Sequence, residues 1–234
     1  MKIEVWSDYV CPFCYIGKRQ LEIALQKTGY EQAVEIEYKS YLLDPNTPVD
    51  AAGSVYDDLQ QKYNMSLEEV KNMGDNVAER AKSVGLDYNF ADMKTANTVK
   101  AHRLAKWAEV EGKGKEFTEI VLKAYFLEGQ AIGNTDVLLA LVEKTGLSID
   151  GAKAIIEGKQ FEEEVHQDIA IAQQLGVRGV PFFVIDNKYG IAGAQPQEVF
   201  EQTIEKAAQE AGLRKPLNMQ GENGPTCTDD SCEI

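Results

Sequence analysis

Four cysteines in two pairs are the residues of this chain best suited to covalent chemistry. Cys11 and Cys14 enclose two residues, and Cys227 and Cys232 enclose four residues near the C-terminus. A chain of 234 residues buries a core large enough to fold without disulfide bonds, so a purely structural role is not expected. In a reducing compartment, closely spaced cysteines are more often redox-active or metal-binding. The spacing therefore indicates thiol–disulfide exchange, with zinc binding as the alternative.

The first cysteine pair stands where a predicted strand ends and a predicted helix begins. Residues 2–8 alternate between apolar and polar, and the segment 12–29 opens with proline and closes with glycine, as helices often do. The free N–H groups and partial positive charge of a helix N-terminus favour a thiolate over a thiol. We therefore expect Cys11 to be the nucleophile and Cys14, one turn later on the same face, to resolve a mixed disulfide.

Zinc binding by all four cysteines is the alternative that the spacing leaves open. Structural zinc sites take four thiolates in tetrahedral geometry. Cys14, on a helix face beside aromatic residues, is poorly placed for such ligation, and Cys227 and Cys232 follow the last predicted helix. We therefore predict redox chemistry without a metal.

The elements around the first pair predict a mixed α/β fold. Strand 2–8, helix 12–29 and a second strand over 34–42 form a βαβ unit, whose strands we expect to be parallel with a right-handed crossover. Helical patterns and caps then follow for more than a hundred residues, including a capping box at Ser66–Glu69 and a helix from Thr95 to Glu111.

Strand character returns only late in the chain. Residues 182–185 and 189–192 predict a β-hairpin, and a last amphipathic helix runs from Pro196 towards Gly212. The order βαβ, helical block, ββα predicts a thioredoxin-like fold with an inserted all-helical subdomain. The predicted segments are a first thioredoxin-like part over 1–45, a helical insertion over 46–160, a second thioredoxin-like part over 161–215 and a mobile tail over 216–234.

Charge and hydropathy exclude several classes of function. The chain carries 38 acidic and 24 basic residues, a formal net charge of −14. Binding to nucleic acid or to an anionic membrane surface needs clustered lysine and arginine, so neither partner is expected. No apolar run approaches the roughly 20 residues that span a bilayer. The N-terminus shows no secretion signal, so we expect a cytoplasmic protein.

Several motifs together resemble the DsbA-like thioredoxin superfamily, and within it the FrnE-type branch. The main ones are Cys-Pro-Phe-Cys at 11–14, the long helical insertion and Gly-Val-Pro-Phe at 179–182. Supporting stretches are Ser7-Asp8, Asn97, Ala101-His102 and Gly193-Ala194-Gln195-Pro196. The resemblance covers residues 1–212, and its specificity comes from the combination, because each motif alone is common.

The resemblance implies a geometry and a reaction. The Val180–Pro181 bond is expected to be cis and to lie against the cysteine pair, whereas position alone would favour an ordinary trans bond. This loop contacts the substrate chain in the family, and the residue before the proline tunes the redox pair. The expected partners are proteins with thiols or disulfides. The reaction requires no metal or organic cofactor, although glutathione is a candidate reductant.

Some FrnE-type proteins end with a second cysteine pair, as this chain does. We therefore expect Cys227 and Cys232 to exchange with the Cys11–Cys14 disulfide as an internal redox relay. A passive tail, whose cysteines pair only with each other or remain free, is the alternative.

Two positions depart from the family pattern. The buried acid expected six residues before the first cysteine is Val5 here, and the adjacent Glu4 should point to the other face of its strand. The dipeptide Pro12-Phe13 contains no histidine to stabilise a thiolate. The first departure argues against a proton relay through such an acid, and the second predicts a pair that is less strongly oxidising than one with a histidine there.

Several other residues near the pair have two possible roles each. Trp6 and Phe13 are candidates for an apolar substrate-binding rim, with core packing as the alternative. Asp8 is either a turn residue or a polar group near the helix N-terminus. His102 and His166 are predicted to lie on the surface, which leaves no histidine beside Cys11 for a Cys–His enzyme.

Two other functions are compatible with the pattern. Glutathione-dependent isomerases of the 2-hydroxychromene-2-carboxylate type and kappa-class glutathione transferases share the insertion and the Val-Pro loop, but they usually carry serine where Cys11 stands. A holdase chaperone would use only the aromatic residues. The presence of both Cys11 and Cys14 favours thiol–disulfide exchange, and the sequence leaves the oligomeric state open.

Overall fold

The computed structural model describes residues 1–215 and the backbone of 227–228 and 231–232. Its strands and helices, in chain order, are β1 Lys2–Ser7, α1 Pro12–Thr28, β2 Glu35–Ser40, α2 Val55–Tyr63, α3 Leu67–Lys82, α4 Val99–Val110, α5 Gly114–Phe126, α6 Thr135–Lys144, α7 Ile149–Glu157, α8 Glu162–Gln174, β3 Phe182–Ile185, β4 Tyr189–Ala192, α9 Gln197–Glu210, β5 Cys227–Thr228 and β6 Ser231–Cys232. The order confirms the predicted βαβ, helical block and ββα.

A four-stranded sheet with the order β2-β1-β3-β4 forms the centre of the thioredoxin-like part. Strand β1 pairs in parallel with β2, and α1 makes the crossover between them. On its other side β1 pairs antiparallel with β3, which continues into the hairpin with β4. Val5 consequently lies between Tyr38 and Phe183, at the centre of the sheet.

The two faces of the sheet carry different layers. Ile3 and Val5 share a core with Phe183 and with residues of α1 and α9, which pack against each other. Successive side chains of a strand point to opposite faces, so Trp6 lies on the other face and packs against Ala172 of α8. Glu4 also lies on that face, and its carboxylate is 3.5 Å from the Lys39 ammonium. The expectation for Glu4 is therefore confirmed.

The helices between β2 and α8 have a core of their own. Leu104, Phe117 and Leu138 are buried in it, and Tyr15 and Ile16 of α1 belong to the same cluster. The insertion thus packs against the first turns of the helix that begins beside the cysteines. This arrangement confirms the predicted thioredoxin-like fold with an all-helical insertion, while the exact segment boundaries remain a prediction.

Two helical details differ from the sequence prediction. Helix α2 was not predicted, because it contributes no fully buried residue and therefore has a weak apolar pattern; the Ser54 hydroxyl caps it by accepting the Tyr56 N–H at 3.2 Å. Helix α4 begins at Val99 rather than Thr95. The Asn97 side-chain oxygen accepts the Val99 N–H at 3.1 Å, and the Thr95 N–H bonds to Gly53 O at 2.9 Å, which holds the preceding residues outside the helix.

The C-terminal cysteines lie on two short strands that are hydrogen-bonded to each other. Strands β5 and β6 are antiparallel, with Cys227 opposite Cys232. The rest of the predicted tail lies outside the described residues. In the described part of the chain, no helix is both long and apolar enough to cross a membrane.

Candidate active site

Cys11 occupies the N-cap of α1. Its backbone is extended, with φ −87° and ψ 112°, and Pro12 takes the first helical position. The Cys11 N–H donates to Asp8 O at 3.1 Å, which forms the tight turn between β1 and α1. The Cys11 thiol donates to the carbonyl oxygen of Val180 at 3.4 Å. The helix start therefore holds this sulfur against a loop from the far end of the chain.

Cys14 lies one turn deeper and is almost completely enclosed. Its sulfur contacts the Ser7 hydroxyl, the Asp8 backbone and Cys11. Burial raises the pKa of the Cys14 thiol well above its usual value, and the neighbouring Cys11 raises it further, while Ser7 and Asp8 act in the opposite direction. Cys14 therefore remains a protonated thiol at neutral pH in the reduced protein, as a resolving cysteine would.

The Val180–Pro181 loop lies directly against the first turns of α1. Its peptide bond is cis, as the resemblance implied. Pro181 is buried, and its carbonyl accepts the Gly193 N–H at 2.8 Å. Gly17 gives the loop room, because a Cβ there would lie 3.0 Å from Pro181 Cγ and 2.9 Å from Phe183 Cζ. The structure thus brings Cys11, Cys14, Val180 and Pro181 together.

Phe13, the second residue of the dipeptide between the cysteines, is half-buried at the edge of a surface groove. The guanidinium of Arg80 lies 5.0 Å from its ring centroid and also donates to Ala194 O at 3.1 Å. The groove measures about 460 Å³ and runs along α3, where Met73 and Val77 contribute apolar side chains. Phe13 is therefore placed to contact a chain bound beside Cys11.

The prediction that Trp6 forms a substrate-binding rim is wrong. Its side chain has no exposed surface, and its indole N–H donates to Asp168 O at 2.8 Å. The ring packs against Ala172 and Val177 on the face of the sheet that α8 covers. A large apolar ring with one polar group is well suited to such an interior site, so core packing accounts for Trp6.

The prediction that His102 lies on the surface is also wrong. His102 is 4% exposed, and its Nε2 lies 3.3 Å from Asp8 Oδ1. Asp8 is 1% exposed, and its Oδ2 accepts the Leu43 N–H at 2.8 Å. Asp8 therefore serves both expected roles, since its carbonyl closes the turn and its carboxylate is a buried polar group behind the cysteines. His166, by contrast, is exposed as predicted.

His102 was missed because the polar residues around it are themselves buried and paired. Arg103 donates to Gln160 O at 2.8 Å and to Gly158 O at 2.8 Å, after the end of α7. Lys106 lies 2.6 Å from the Asp168 carboxylate. These long-range pairs make the polar sequence of α4 compatible with the interior, and no local pattern reveals them.

The zinc alternative stays untested. Among the side chains that the structure describes, no group of three or more histidine, cysteine, aspartate or glutamate residues could hold a metal ion. The side chains of Cys227 and Cys232 lie outside that set.

Comparison with solved structures supports the assignment of the fold. A probable DsbA oxidoreductase from Streptomyces coelicolor superimposes with a TM-score of 0.85 at 33% identity, and the match covers 100% of this chain and 99% of that one. A 2-hydroxychromene-2-carboxylate isomerase superimposes with a TM-score of 0.68 at 17% identity, covering 92% of this chain and all of that one. At this identity, the second likeness shows the fold alone.

Comparison of sequences identifies the family. The chain is 30% identical over 205 residues to the uncharacterized protein YwbO of Bacillus subtilis, and the match covers 86% of this chain and 94% of that protein. The model of the DSBA-like thioredoxin domain matches residues 2–205, which include Cys11, Cys14 and the Val180–Pro181 loop. The chain therefore belongs to the DSBA-like thioredoxin domain family.

Proposed function

We propose that this protein is a thiol–disulfide oxidoreductase that exchanges disulfides with protein substrates through Cys11 and Cys14. One observation carries the proposal: the Cys11 sulfur stands at a helix N-cap, 3.4 Å from the Val180 carbonyl, with the Cys14 thiol buried behind it. A helix N-terminus favours a thiolate, so Cys11 is placed to react, and Cys14 is placed to follow.

The proposed reaction has two exchanges. The Cys11 thiolate attacks one sulfur of a substrate disulfide, the substrate S–S bond breaks, and the other substrate sulfur leaves as a thiolate. Cys14 then loses its proton and attacks the Cys11 sulfur. The Cys11–Cys14 bond forms, the mixed disulfide breaks, and the second substrate thiolate leaves. The substrate gains two electrons and the protein loses them, and the reverse sequence oxidises a substrate dithiol.

The proposed partners follow from the site. The Val180–Pro181 loop and Phe13 would contact the substrate chain beside Cys11, and the acidic surface of a protein with net charge −14 would favour neutral or basic substrates. No metal or organic cofactor enters the exchange, and glutathione is a candidate reductant of the oxidised pair. We further propose a cytoplasmic location and membership of the FrnE-type branch.

Reduction of insulin disulfides, with dithiothreitol supplied as the electron source, tests the proposal. The wild-type protein should accelerate the precipitation of the insulin B chain, and the Cys11→Ser variant should not. Cys227→Ser/Cys232→Ser retains the first pair and should still accelerate the precipitation, and Val110→Ala, at an exposed residue, is the matched control. Wild-type protein no faster than dithiothreitol alone would contradict the proposal.

A glutathione-dependent isomerase is the second candidate, because the isomerase fold matches this chain over 92% of its length. Its reaction would need glutathione but no resolving thiol. Turnover of a 2-hydroxychromene-2-carboxylate with glutathione, retained in Cys14→Ser, would favour this candidate over disulfide exchange.

A further inference from the structure

A buried polar cluster lies directly behind the cysteine pair. Ser7 ends β1, and its side chain lies against the Cys14 sulfur. Asp8 follows, and its carboxylate accepts hydrogen bonds from the Leu43 N–H and lies 3.3 Å from His102 Nε2. Buried polar groups of this kind are costly unless they are paired, and they merit a functional explanation when they adjoin reacting atoms.

A small, largely enclosed cavity of about 10 Å³ adjoins two of these residues. Ser7 and His102 both line it, together with Lys106 and Thr118. A single water needs roughly 10–15 Å³ and two to four polar partners, so the cavity is close to the size of one water. Ser7 thus touches the Cys14 sulfur and also borders the cavity that His102 lines.

Resolution of a mixed disulfide creates a need for a proton acceptor. Cys14 must lose its proton before it attacks the Cys11 sulfur, yet it is only 2% exposed and covered by the substrate at that moment.

We propose that the Asp8–His102 pair accepts the proton that Cys14 releases, through the Ser7 hydroxyl and the adjoining cavity. The inference rests on the proposed disulfide exchange and adds a proton acceptor to it. His102 acts through Ser7 rather than on the reacting sulfur, so it is a positioning and proton-accepting residue.

The atoms balance along this path. With Nε2–H donating to Asp8 Oδ1, the Nδ1 lone pair of His102 is available to accept a proton. Uptake produces an imidazolium that the Asp8 carboxylate stabilises, and the Leu43 N–H holds that carboxylate in place at 2.8 Å. The Cys14 thiolate attacks as the proton arrives on His102, and the proton returns along the same path when the disulfide is reduced.

The other titratable groups that face the cavity are less suitable acceptors. Lys106 is ion-paired with Asp168 at 2.6 Å, and the Glu37 and Asp168 carboxylates hold the pKa of Lys39 above its usual value despite its partial burial. Burial also raises the pKa of Tyr9, whose ring lies 4.9 Å from the imidazole, and that of Tyr38. Lys39 and both tyrosines therefore keep their protons at neutral pH, and the ion pair with Asp168 occupies the Lys106 ammonium, which leaves the imidazole as the acceptor.

A stopped-flow reaction with dithiobis-nitrobenzoate separates the two exchanges within one trace. The full chain carries Cys227→Ser and Cys232→Ser, so only Cys11 and Cys14 react. The first absorbing thiolate reports attack by Cys11, and the second reports resolution by Cys14. In His102→Gln, whose amide can still donate to Asp8, the first phase should keep its rate and the second should slow by on the order of 10²-fold.

The pH profile provides a readout that a structural role would not change. In His102→Gln the logarithm of the second-phase rate should rise with unit slope throughout, because only solvent hydroxide then removes the Cys14 proton, whereas in the wild type the slope should be smaller. Ser7→Ala should slow the second phase alone, which keeps the proposal testable if His102→Gln does not fold. The matched control is His166→Gln, which replaces the exposed histidine.

The outcomes distinguish this inference from the proposed function. A wild-type trace without a second phase would contradict disulfide exchange itself. A wild-type second phase that His102→Gln and Ser7→Ala leave unchanged in rate and pH profile would overturn the relay and leave the exchange intact. Equal slowing of both phases would also overturn it, because that pattern indicates a general distortion of the site.

Discussion

The sulfur of Cys11 lies 3.4 Å from the carbonyl oxygen of Val180, although 169 positions separate the two residues in the chain. The contact depends on the sheet, because β3, which follows Val180, pairs antiparallel with β1, which precedes Cys11. The loop before β3 and the start of α1 after β1 therefore meet at the same end of these two neighbouring strands. The Val180–Pro181 loop therefore borders the Cys11 sulfur.

The roles of the two cysteines predict which variant traps a substrate. Cys14→Ser should accumulate a mixed disulfide between Cys11 and a protein substrate, because the thiol that resolves it is gone. Intact-mass measurement under non-reducing conditions would show the adduct, and Cys11→Ser should show none. An adduct on Cys14 in the Cys11→Ser protein would reverse the assignment.

Gly17→Ala should displace the loop that faces Cys11. The new Cβ would lie 2.9 Å from Phe183 Cζ and 3.0 Å from Pro181 Cγ, closer than packed carbons tolerate, and both partners are buried. Overpacking costs about 1–3 kcal/mol, and alanine recovers up to about 1 kcal/mol of helix propensity, so we expect a net loss of about 1–2 kcal/mol.

The free energy of unfolding from denaturant titration measures this loss, and insulin reduction should slow in parallel. Gly53→Ala is the control, because nothing lies within 4 Å of a Cβ at that position. Gly17→Ala protein with unchanged stability and turnover would show that the contact between α1 and the loop is unimportant.

The stability of the reduced protein should fall at mildly alkaline pH. Burial and the neighbouring Cys11 raise the pKa of the Cys14 thiol in the folded state. In the unfolded chain, a cysteine thiol has its reference pKa of about 8.5. Between these two pKa values the unfolded state binds fewer protons than the folded state, so the free energy of unfolding decreases as pH rises. Below about pH 8.5 both states keep the Cys14 proton, so this thiol does not reduce the free energy of unfolding there.

Comparison of reduced wild type with Cys14→Ala between about pH 8.5 and 9.5, below the usual tyrosine range, isolates this effect. Wild type should lose stability more steeply, by at most about 1.4 kcal/mol per pH unit for one group. The oxidised protein, in which neither thiol of the pair can ionise, should lack this steeper loss. If the free energy of unfolding changed with pH in the same way for the reduced wild type and Cys14→Ala, the pKa of the Cys14 thiol would not be raised by folding.

Local signals predicted the parts of the site that local structure determines. Pro12 at the helix start and the left-handed Gly29 cap delimit α1, so Cys11 could be placed at a helix N-terminus from sequence alone. Alternation along β1 likewise placed Glu4 and Val5 on opposite faces. These features depend on neighbouring residues, for which the sequence is informative.

Long-range pairing determines what the sequence did not reveal. Nothing near His102 indicates that Asp8 lies 3.3 Å away, because 94 positions separate them. Trp6 was misassigned for a similar reason, because helix α8, which covers it, lies far along the chain. The Trp6 indole donates a hydrogen bond to Asp168, which is 162 positions away in the sequence. The proton path described above is therefore visible only in three dimensions.

Phe13 should matter for protein substrates more than for small ones. Its ring lies under Arg80 at the edge of the α3 groove, where a bound polypeptide could bury it. Phe13→Ala should raise KM for insulin about three- to tenfold, because the half-buried ring can gain only part of the about 1.5–3 kcal/mol that full burial is worth. The rate with dithiobis-nitrobenzoate should stay nearly unchanged. Val110→Ala, at an exposed apolar residue, is the control. If Phe13→Ala impaired the reactions with insulin and with dithiobis-nitrobenzoate equally, Phe13 would support the structure of the site rather than bind the substrate chain.

The second cysteine pair is within reach of the first. About fifteen residues separate Gly212 from Cys227, and a chain spans at most about 3.5 Å per residue, so the segment can bridge up to about 50 Å. A compact chain of this length has an expected radius of gyration of only about 17 Å. Tethering also raises the effective concentration of the second pair into the millimolar range, enough to compete with free thiols.

Truncation after Leu217 should therefore change the chemistry of the Cys11–Cys14 pair, if Cys227 and Cys232 act as its internal relay. We expect a shifted reduction potential in equilibrium with glutathione and altered kinetics of insulin reduction, and Cys227→Ser/Cys232→Ser in the full-length chain should reproduce both changes. Peptide mapping of partly oxidised wild type should find peptides that link one cysteine of each pair. An unchanged potential and unchanged kinetics in both variants, with no linked peptide, would exclude the relay. Changes caused by truncation but not by the serine variant would instead assign the effect to the tail residues other than its cysteines.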